Sequence, residues 1–478
     1  MKKIILFLFT AALIFVVYEI WRVNRIEPDQ LTTAEDAIHE KEPSALKAAE
    51  YEMIEIEGIM RRVLPPGSLT TEHFLEDLDY MVYVLENNFA LLEVANWAHG
   101  VDYRVLADNA RAMILTMEEA CEDTFVAIML WNFIPLRGTG HFDIFTPCRY
   151  HSLLADFYWG YRGIKATMNY RLMQTALPYR FYGPRSLNEY PTPFDLALRS
   201  LTETYGPPTN RFWCNLSFNG VPSERLPYVT KIIEEGRIAY VSAGSMMEIW
   251  ETQLQLLNFY REVSDYEHLI IDLRGNGGGH IDKFLDFMLK PHLEERIIAP
   301  TTFHFFMDGP YIRRFGDYLF TPTISSGYLT TTEPYRPAGE VLADNYLPEA
   351  NLSDFDRLHY GAASGRFIRA IRPASERFAN QPPAFGGRIW LLADHRMTSA
   401  AQQAAWYSKE TGFATLVGDI TGGCMGGPRT MAFMPNTGII FYFDIFYITD
   451  SRGRPLEAGT IPHYFNRPGM DALQTVLR

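Results

Sequence analysis

Leu269-Ile270-Ile271-Asp272-Leu273-Arg274-Gly275-Asn276-Gly277-Gly278-Gly279-His280 is the stretch on which the reading of this chain turns. Its short apolar run reads as a buried strand. The run ends in a polar loop with three adjacent glycines, which expose backbone N–H groups at little steric cost. Such amides bind a phosphate, or the oxyanion that develops during acyl transfer. The phosphate reading lacks its partners. No Gly-x-x-x-x-Gly-Lys-Ser/Thr arrangement occurs, and no Gly-x-Gly-x-x-Gly directly follows the strand. Arg274 is expected to pair within the protein.

Around this strand the pattern alternates. Residues 238–241 read as a strand, 247–263 as a helix, 281–289 as a short helix and 387–392 as another strand. A helix over 399–410 is stopped by Gly412, and 415–417, 430–433 and 439–443 read as further strands. Consecutive strand–helix–strand units predict a sheet covered by helices. Upstream, residues 40–136 follow a helical period: Met53, Ile56, Met60 and Val63 share one face, and helices are predicted from Thr71 or Glu72, over 101–118 and over 125–133. The division that follows is 1–22 as a targeting segment, 23–136 as a helical N-terminal domain, 137–235 as a connecting or substrate-binding region, and 236–478 as an α/β domain. Prolines interrupt 150–232. Residues 301–383 form a long insertion rich in Pro and aromatics, expected at the rim of the site or as a lid.

Composition narrows the function. The 478 residues are 47% hydrophobic and 21% charged, with a formal net charge of -14. Nucleic acid is excluded as a partner, because phosphate binding needs clustered Lys and Arg. Lys2 and Lys3 precede an apolar run over 4–17, followed by Trp21 and Arg22, the pattern of a signal peptide or signal-anchor. It predicts membrane attachment and an extracytoplasmic, or secreted, catalytic domain. Cys121, Cys148, Cys214 and Cys424 do not form a disulfide scaffold for a chain of this length. Neither their spacing nor any His-Glu-x-x-His motif suggests a metal site, and no cofactor is implied.

Ser399 lies past a strand and at the start of a helix, beside free helical N–H groups. An ordinary N-cap explains an isolated Ser there. Nucleophilic attack would need a base, an orienting acid and an oxyanion hole as well. The glycine loop offers Gly278 and Gly279, and the helix start offers the Ala400 N–H. His141, after Arg137-Gly138-Thr139-Gly140 and before an alternating run, is the chosen base. His280 and His395 are rivals because they flank the glycine loop and the serine. Glu457, in a turn-rich segment, is the candidate acid. Gly277, His280 and Thr398 are the expected substrate contacts.

These residues resemble a known family, the tail-specific or C-terminal processing serine peptidases and their tricorn-core relatives. The strand and glycine loop over 269–279 resemble that family's Asp-Leu-Arg-x-Asn-x-Gly-Gly. Thr398-Ser399-Ala400-Ala401 resembles its nucleophile motif, and residues 416–423 and 456–462 its later glycine-containing segments. The resemblance implies an α/β (α+β) ClpP/crotonase-like catalytic core with an N-terminal helical domain. Many members use a Ser-Lys dyad with Lys about 25 residues after the serine. Cys424 stands there, and no Lys occurs after Lys409. The tricorn-like branch uses Ser, His and Glu, roles that the resemblance places on Ser399, His141 and Glu457. Gln402 replaces the usual Glu after Ser-Ala-Ala, and Pro462-His463 replaces the usual Pro-Asp. The expected activity is that of a serine endopeptidase on a peptide or protein substrate. The alternatives are a non-catalytic protein that binds peptides or apolar ligands, and an esterase.

Overall fold

The computed structural model describes residues 53–56, 59–62, 64–65, 67–159, 172–173, 175–183, 193–206, 229–246, 249–298, 300–313, 334–364, 370–373, 384–425, 427 and 429–478. The helical part comprises Thr71–Asn88 (α1), Leu92–His99 (α2), Tyr103–Leu115 (α3) and Glu122–Phe133 (α4). Asp102 starts α3 by accepting from the Arg104 N–H at 3.0 Å, the usual N-cap arrangement. Nearly every residue of α4 from Phe125 onward is buried, so it runs through the core rather than over it.

The strands follow in chain order: Asp143–Ile144 (β1), Val229–Glu234 (β2), Ile238–Ser242 (β3), His268–Asp272 (β4), Phe303–Phe306 (β5), Arg336–Pro337 (β6), Tyr360–Ala363 (β7), Arg388–Ala393 (β8), Thr415–Gly418 (β9), Arg429–Phe433 (β10), Ile440–Asp444 (β11), Tyr447–Thr449 (β12) and Tyr464–Phe465 (β13). Ile249–Glu262 (α5), Ala400–Glu410 (α6) and Ala472–Val476 (α7) complete the elements that matter here. A six-stranded sheet has the order β13-β9-β8-β4-β3-β2. Its members run parallel except β2, which closes the edge antiparallel to β3. Helices cover its centre, which explains the unbroken apolar runs of β4 and β8.

Among the described residues two large hydrophobic cores form, with a small third one under α7. One joins side chains of α5 and α6 to one face of the six-stranded sheet. The other joins α1 to α4 with β1, β5, β10 and β11. The N-terminal helices therefore share their core with the last third of the chain. Asp77 of α1 marks the joint. It accepts from the Asn436 N–H (2.7 Å), the Thr437 N–H (2.8 Å) and the Thr437 hydroxyl (2.6 Å) at the β10–β11 turn. Burial pushes its carboxyl up to about 7, against the pull of these donors.

Several expectations need correction. The expected ClpP/crotonase-like core is not what forms: β3–α5–β4 and β8–α6–β9 are strand–helix–strand units, but the run breaks after β9 and the chain rejoins the sheet only at β13. Residues 429–444 fold instead as a hairpin, with Gly438 at φ 78° in the turn. A tight turn joins antiparallel strands only, so β10 and β11 cannot extend a parallel sheet. They pair with β1 in a separate three-stranded sheet. The insertion is in part structural core. All of Phe303–Phe306 is buried, and β5 pairs antiparallel with β7 and β12. Met53–Ile56 and Ile59–Arg62 are strands, not helix; their isoleucines suit a strand at least as well as the helical period suggested.

Membrane attachment, the transmembrane reading and a cell-membrane localisation are corrected as well. Among the described residues no helix is long and apolar enough to cross a membrane. Residues 1–22, which carried that expectation, lie outside the described residues, as do much of the connecting region and residues 314–333 of the insertion. Cys121, Cys148 and Cys424 are free thiols.

Candidate active site

Strand register sets the first half of the site. In the β1–β11 pair, Asp143 lies opposite Tyr442 and Ile144 opposite Phe441. Extending an antiparallel pairing by two residues along each strand brings His141 opposite Asp444. The side chains meet there: His141 Nδ1 is 2.6 Å from Asp444 Oδ2. The carboxylate is fully buried, while the imidazole keeps about a fifth of its surface exposed. Gly138 and Gly140 shape the turn before the histidine, with φ 92° and 48°. A Cβ on Gly140 would lie 2.5 Å from Leu91 Cδ1 and 2.7 Å from Phe89 Cε2, so only glycine fits against the turn between α1 and α2.

A strand-to-helix turn supplies the second half. β8 ends at Ala393, and α6 begins at Ala400. Ser399 stands between them at φ 54°, ψ -121°, and its side chain does not cap the helix. The ordinary N-cap explanation of this serine therefore fails. Its hydroxyl instead lies 3.0 Å from His141 Nε2. With Nδ1–H donating to Asp444, Nε2 is the atom that accepts from the hydroxyl.

The glycine loop packs against this turn. Thr398 N–H donates to Asn276 O (3.3 Å), and the Thr398 hydroxyl donates to Gly277 O (3.1 Å). A Cβ on Gly278 would come within 2.8 Å of Ser399 Cβ and 2.9 Å of Ala400 N. The Gly278 N–H donates to Asn276 Oδ1 at 2.8 Å, which takes it away from oxyanion binding. Gly277 and Gly279 are exposed beside it, and nothing lies within 4 Å of a Cβ built on Gly277. Thr398, expected to touch substrate, is buried and clamps the loop to the nucleophile turn.

Glu457 does not take the place expected of it. Its carboxylate, 2% exposed, accepts from the Gly140 N–H (3.2 Å) and the Met425 N–H (2.9 Å). It ties the histidine turn to the loop after β9 and leaves the imidazole to Asp444. Gln402 braces the same segment, donating to Leu456 O (3.2 Å) and Thr460 Oγ1 (3.0 Å). Sequence reasoning missed Asp444, although it is the one acid in the apolar run 439–448. A buried carboxylate among aromatics needs a partner, which is the signal that would have found it.

Cys424 occupies the position of the family's lysine, 25 residues after Ser399. Burial pushes its thiol well up, and the Glu457 and Asp444 carboxylates push it further, so it stays neutral and provides no base. His141, Ser399 and Cys424 are the non-glycine residues with positive φ among the described residues. All three meet at this site, where backbone strain of this kind collects when surrounding structure enforces it.

The rival histidines lie elsewhere. His280 is exposed at the start of the helix Ile281–Phe284. His395 lines a cleft of about 660 Å³ at the carboxyl ends of β3, β4 and β8. That cleft pairs its own charges: Arg274 with Asp272 (2.7 Å) and Asp471 (3.1 Å), and Arg396 with Asp394 (2.8 Å). Arg274 thus pairs within the protein, as expected. No group of His, Cys, Asp and Glu suited to a metal ion occurs among the described residues.

Residues 237–465 match the profile of Peptidase family S41. No curated protein matches. Among solved structures, mature CPAF complexed with lactacystin is 14% identical over 83% of this chain and 94% of its own, with a TM-score of 0.45. A lipoprotein from Streptococcus agalactiae is 12% identical over 88% and 98%, with a TM-score of 0.36. The photosystem II D1 C-terminal processing protease is 11% identical over 84% and 94%, with a TM-score of 0.34. Likenesses this distant bear on neither activity nor substrate.

Proposed function

Residues 237–465 belong to peptidase family S41, in place of the expected ClpP/crotonase-like assignment, and from that premise we propose that the protein is a serine endopeptidase working through Ser399, His141 and Asp444. One observation carries the reading: a single imidazole lies 3.0 Å from the Ser399 hydroxyl and 2.6 Å from a buried carboxylate. His141 Nε2 takes the hydroxyl proton as Ser399 attacks a peptide carbonyl. Asp444 holds the Nδ1–H tautomer and stabilises the imidazolium that forms. The tetrahedral oxyanion is held by the Ala400 N–H, free at the first turn of α6, and the Gly279 N–H. Each such donor contributes roughly 3–4 kcal/mol to the transition state. His141 then protonates the leaving amine, and water releases the acyl-enzyme by the same route. The Ser-His-Glu assignment is replaced by Ser-His-Asp, with Glu457 in a positioning role.

The test is turnover of an unbiased peptide library by wild type, Ser399→Ala and His141→Ala, each checked for native melting. Loss of cleavage in both variants is the expected result. Unchanged cleavage in either would overturn the assignment. A wild type that hydrolyses activated esters but no peptides would favour the esterase alternative.

A further inference from the structure

A groove of about 420 Å³ lies on the other face of the six-stranded sheet, away from α5 and α6. Alternation along β8 sends Leu391 to the core beneath α6, and Trp390 and Leu392 to the face covered by α7. The groove is lined by Arg388, Trp390, His463, Tyr464, Arg467 and Arg478, and no Asp or Glu is among its walls. Arg388 opens β8, whereas Ser399 lies beyond its far end. The strand alone separates them by roughly 17 Å, at about 3.3 Å per residue. The groove is therefore distinct from the catalytic turn.

Its charges are unusual for this molecule. The chain is acidic, at -14. Many arginines elsewhere are matched, among them Arg104 with Glu93, Arg313 with Asp308 and Arg396 with Asp394. Neither Arg388 nor Arg467 has a carboxylate partner among the described residues. Arg388 instead lies over Trp390, 4.1 Å from its ring centroid, with Thr415 Oγ1 at 3.3 Å. His463 Nδ1 accepts from the Leu416 N–H (2.9 Å), which leaves Nε2 as the group facing outward. Burial, then the fields of Lys409 and Arg388, push its pKa down, as expected where positive charge is unneutralised.

The apolar component is also exposed. Tyr464 and Phe465 are 55% and 57% exposed on β13, the terminal strand of the sheet. An edge strand offers unpaired backbone groups to an extended chain. Arginines recognise carboxylates through paired N–H donors, and flat aromatic rings give a surface for an extended backbone. The larger cleft at the carboxyl ends of the strands lacks this asymmetry, because its arginines are already neutralised.

We propose that this groove binds an acidic, extended peptide segment. On the peptidase reading, and only there, that segment is part of the protein substrate, remote from the bond that is cut.

The experiment is fluorescence anisotropy of a fluorescein-labelled octaglutamate on the full chain carrying Ser399→Ala, so that no turnover is needed. The net negative charge disfavours adventitious binding of such a probe. Saturable binding is expected, weakened by added salt and absent for octaserine. Arg388→Glu and Arg467→Glu should each lower the affinity at least about tenfold, with an unchanged melting curve. Arg467→Glu carries the test if Arg388→Glu fails to fold, since among the described residues no side-chain bond of the exposed Arg467 holds the fold. No binding of octaglutamate, or equal binding by a folded variant, overturns the proposal. So does better displacement of the probe by inorganic phosphate or oligothymidylate than by unlabelled octaglutamate. Peptide cleavage by the wild type alongside failed binding would refute the groove and leave the peptidase reading standing; binding without cleavage would do the reverse.

Discussion

The nucleophile half and the base half of the site are held by different physics. Ser399 and the glycine loop sit at the ends of adjacent parallel strands, β8 and β4, above one hydrophobic core. Their geometry is local: a strand ends, a helix begins, and two short loops exchange hydrogen bonds. His141 and Asp444 stand 303 residues apart in sequence and meet through the register of a two-residue strand against a hairpin that packs in the other core. The site thus forms across a joint between two cores. Its nucleophile is rigid by construction, and its base is only as well placed as the joint. Glu457 pins that joint beside the imidazole, and Asp77 fixes the far end of the hairpin to α1 within its own core.

Exchanging acid for amide at the two candidate carboxylates sharpens the contrast most. Asp444→Asn should lower kcat by about 10⁴, because the amide holds the wrong imidazole tautomer. Glu457→Gln should cost only roughly 10²-fold, the scale of a displaced but intact base. The reverse order of the two kcat values would return the orienting role to Glu457. Gly140→Ala should come next, lowering both kcat and melting temperature. Its methyl group meets Leu91 and Phe89, and its positive φ disfavours a side chain. A matching change on the nucleophile side, Gln402→Ala, should act through stability, by about 1–3 kcal/mol for the buried partners it leaves unsatisfied. Denaturant melts of the two variants, set beside their kcat values, would show whether the two halves fail differently.

The smallest effect expected is a pH dependence. The Asp77 carboxyl is raised to about 7 in the fold, above its unfolded value. Its contribution to stability is therefore fully present below about pH 4 and falls as pH rises to about 7. Asp77→Asn should remove that slope. Urea melts at pH 5 and pH 8 would check it: the wild-type stability change between them should shrink in the variant, and an unchanged slope would assign it to other groups.

Local chemistry made the nucleophile half readable from sequence. An apolar run followed by glycines, and a serine at a strand-to-helix junction, are motifs of a few residues each. The strands and helices of 238–273 and 388–417 follow from the same periodicity. His141 was reachable through Gly138 and Gly140, which announce a special turn. Asp444 was not, because nothing local says which residue a strand will face; that depends on the register of β1 against β11. The hairpin deceived for the same reason. Periodicity marks its strands, but only the turn at 435–438 says that they pair with each other and leave the parallel sheet. Residues 303–306 lie in a long insertion that suggests a rim, whereas four successive aromatic-ring residues are more economically explained by burial on both faces.

Covalent labelling tests the central claim most directly. Wild-type protein treated with a fluorophosphonate and mapped by peptide mass spectrometry should carry one adduct, on Ser399. The same treatment of His141→Ala should leave Ser399 unmodified, and Asp444→Asn should label far more slowly than Glu457→Gln. A folded wild type that takes up no adduct, or labels equally well without His141, would contradict the account.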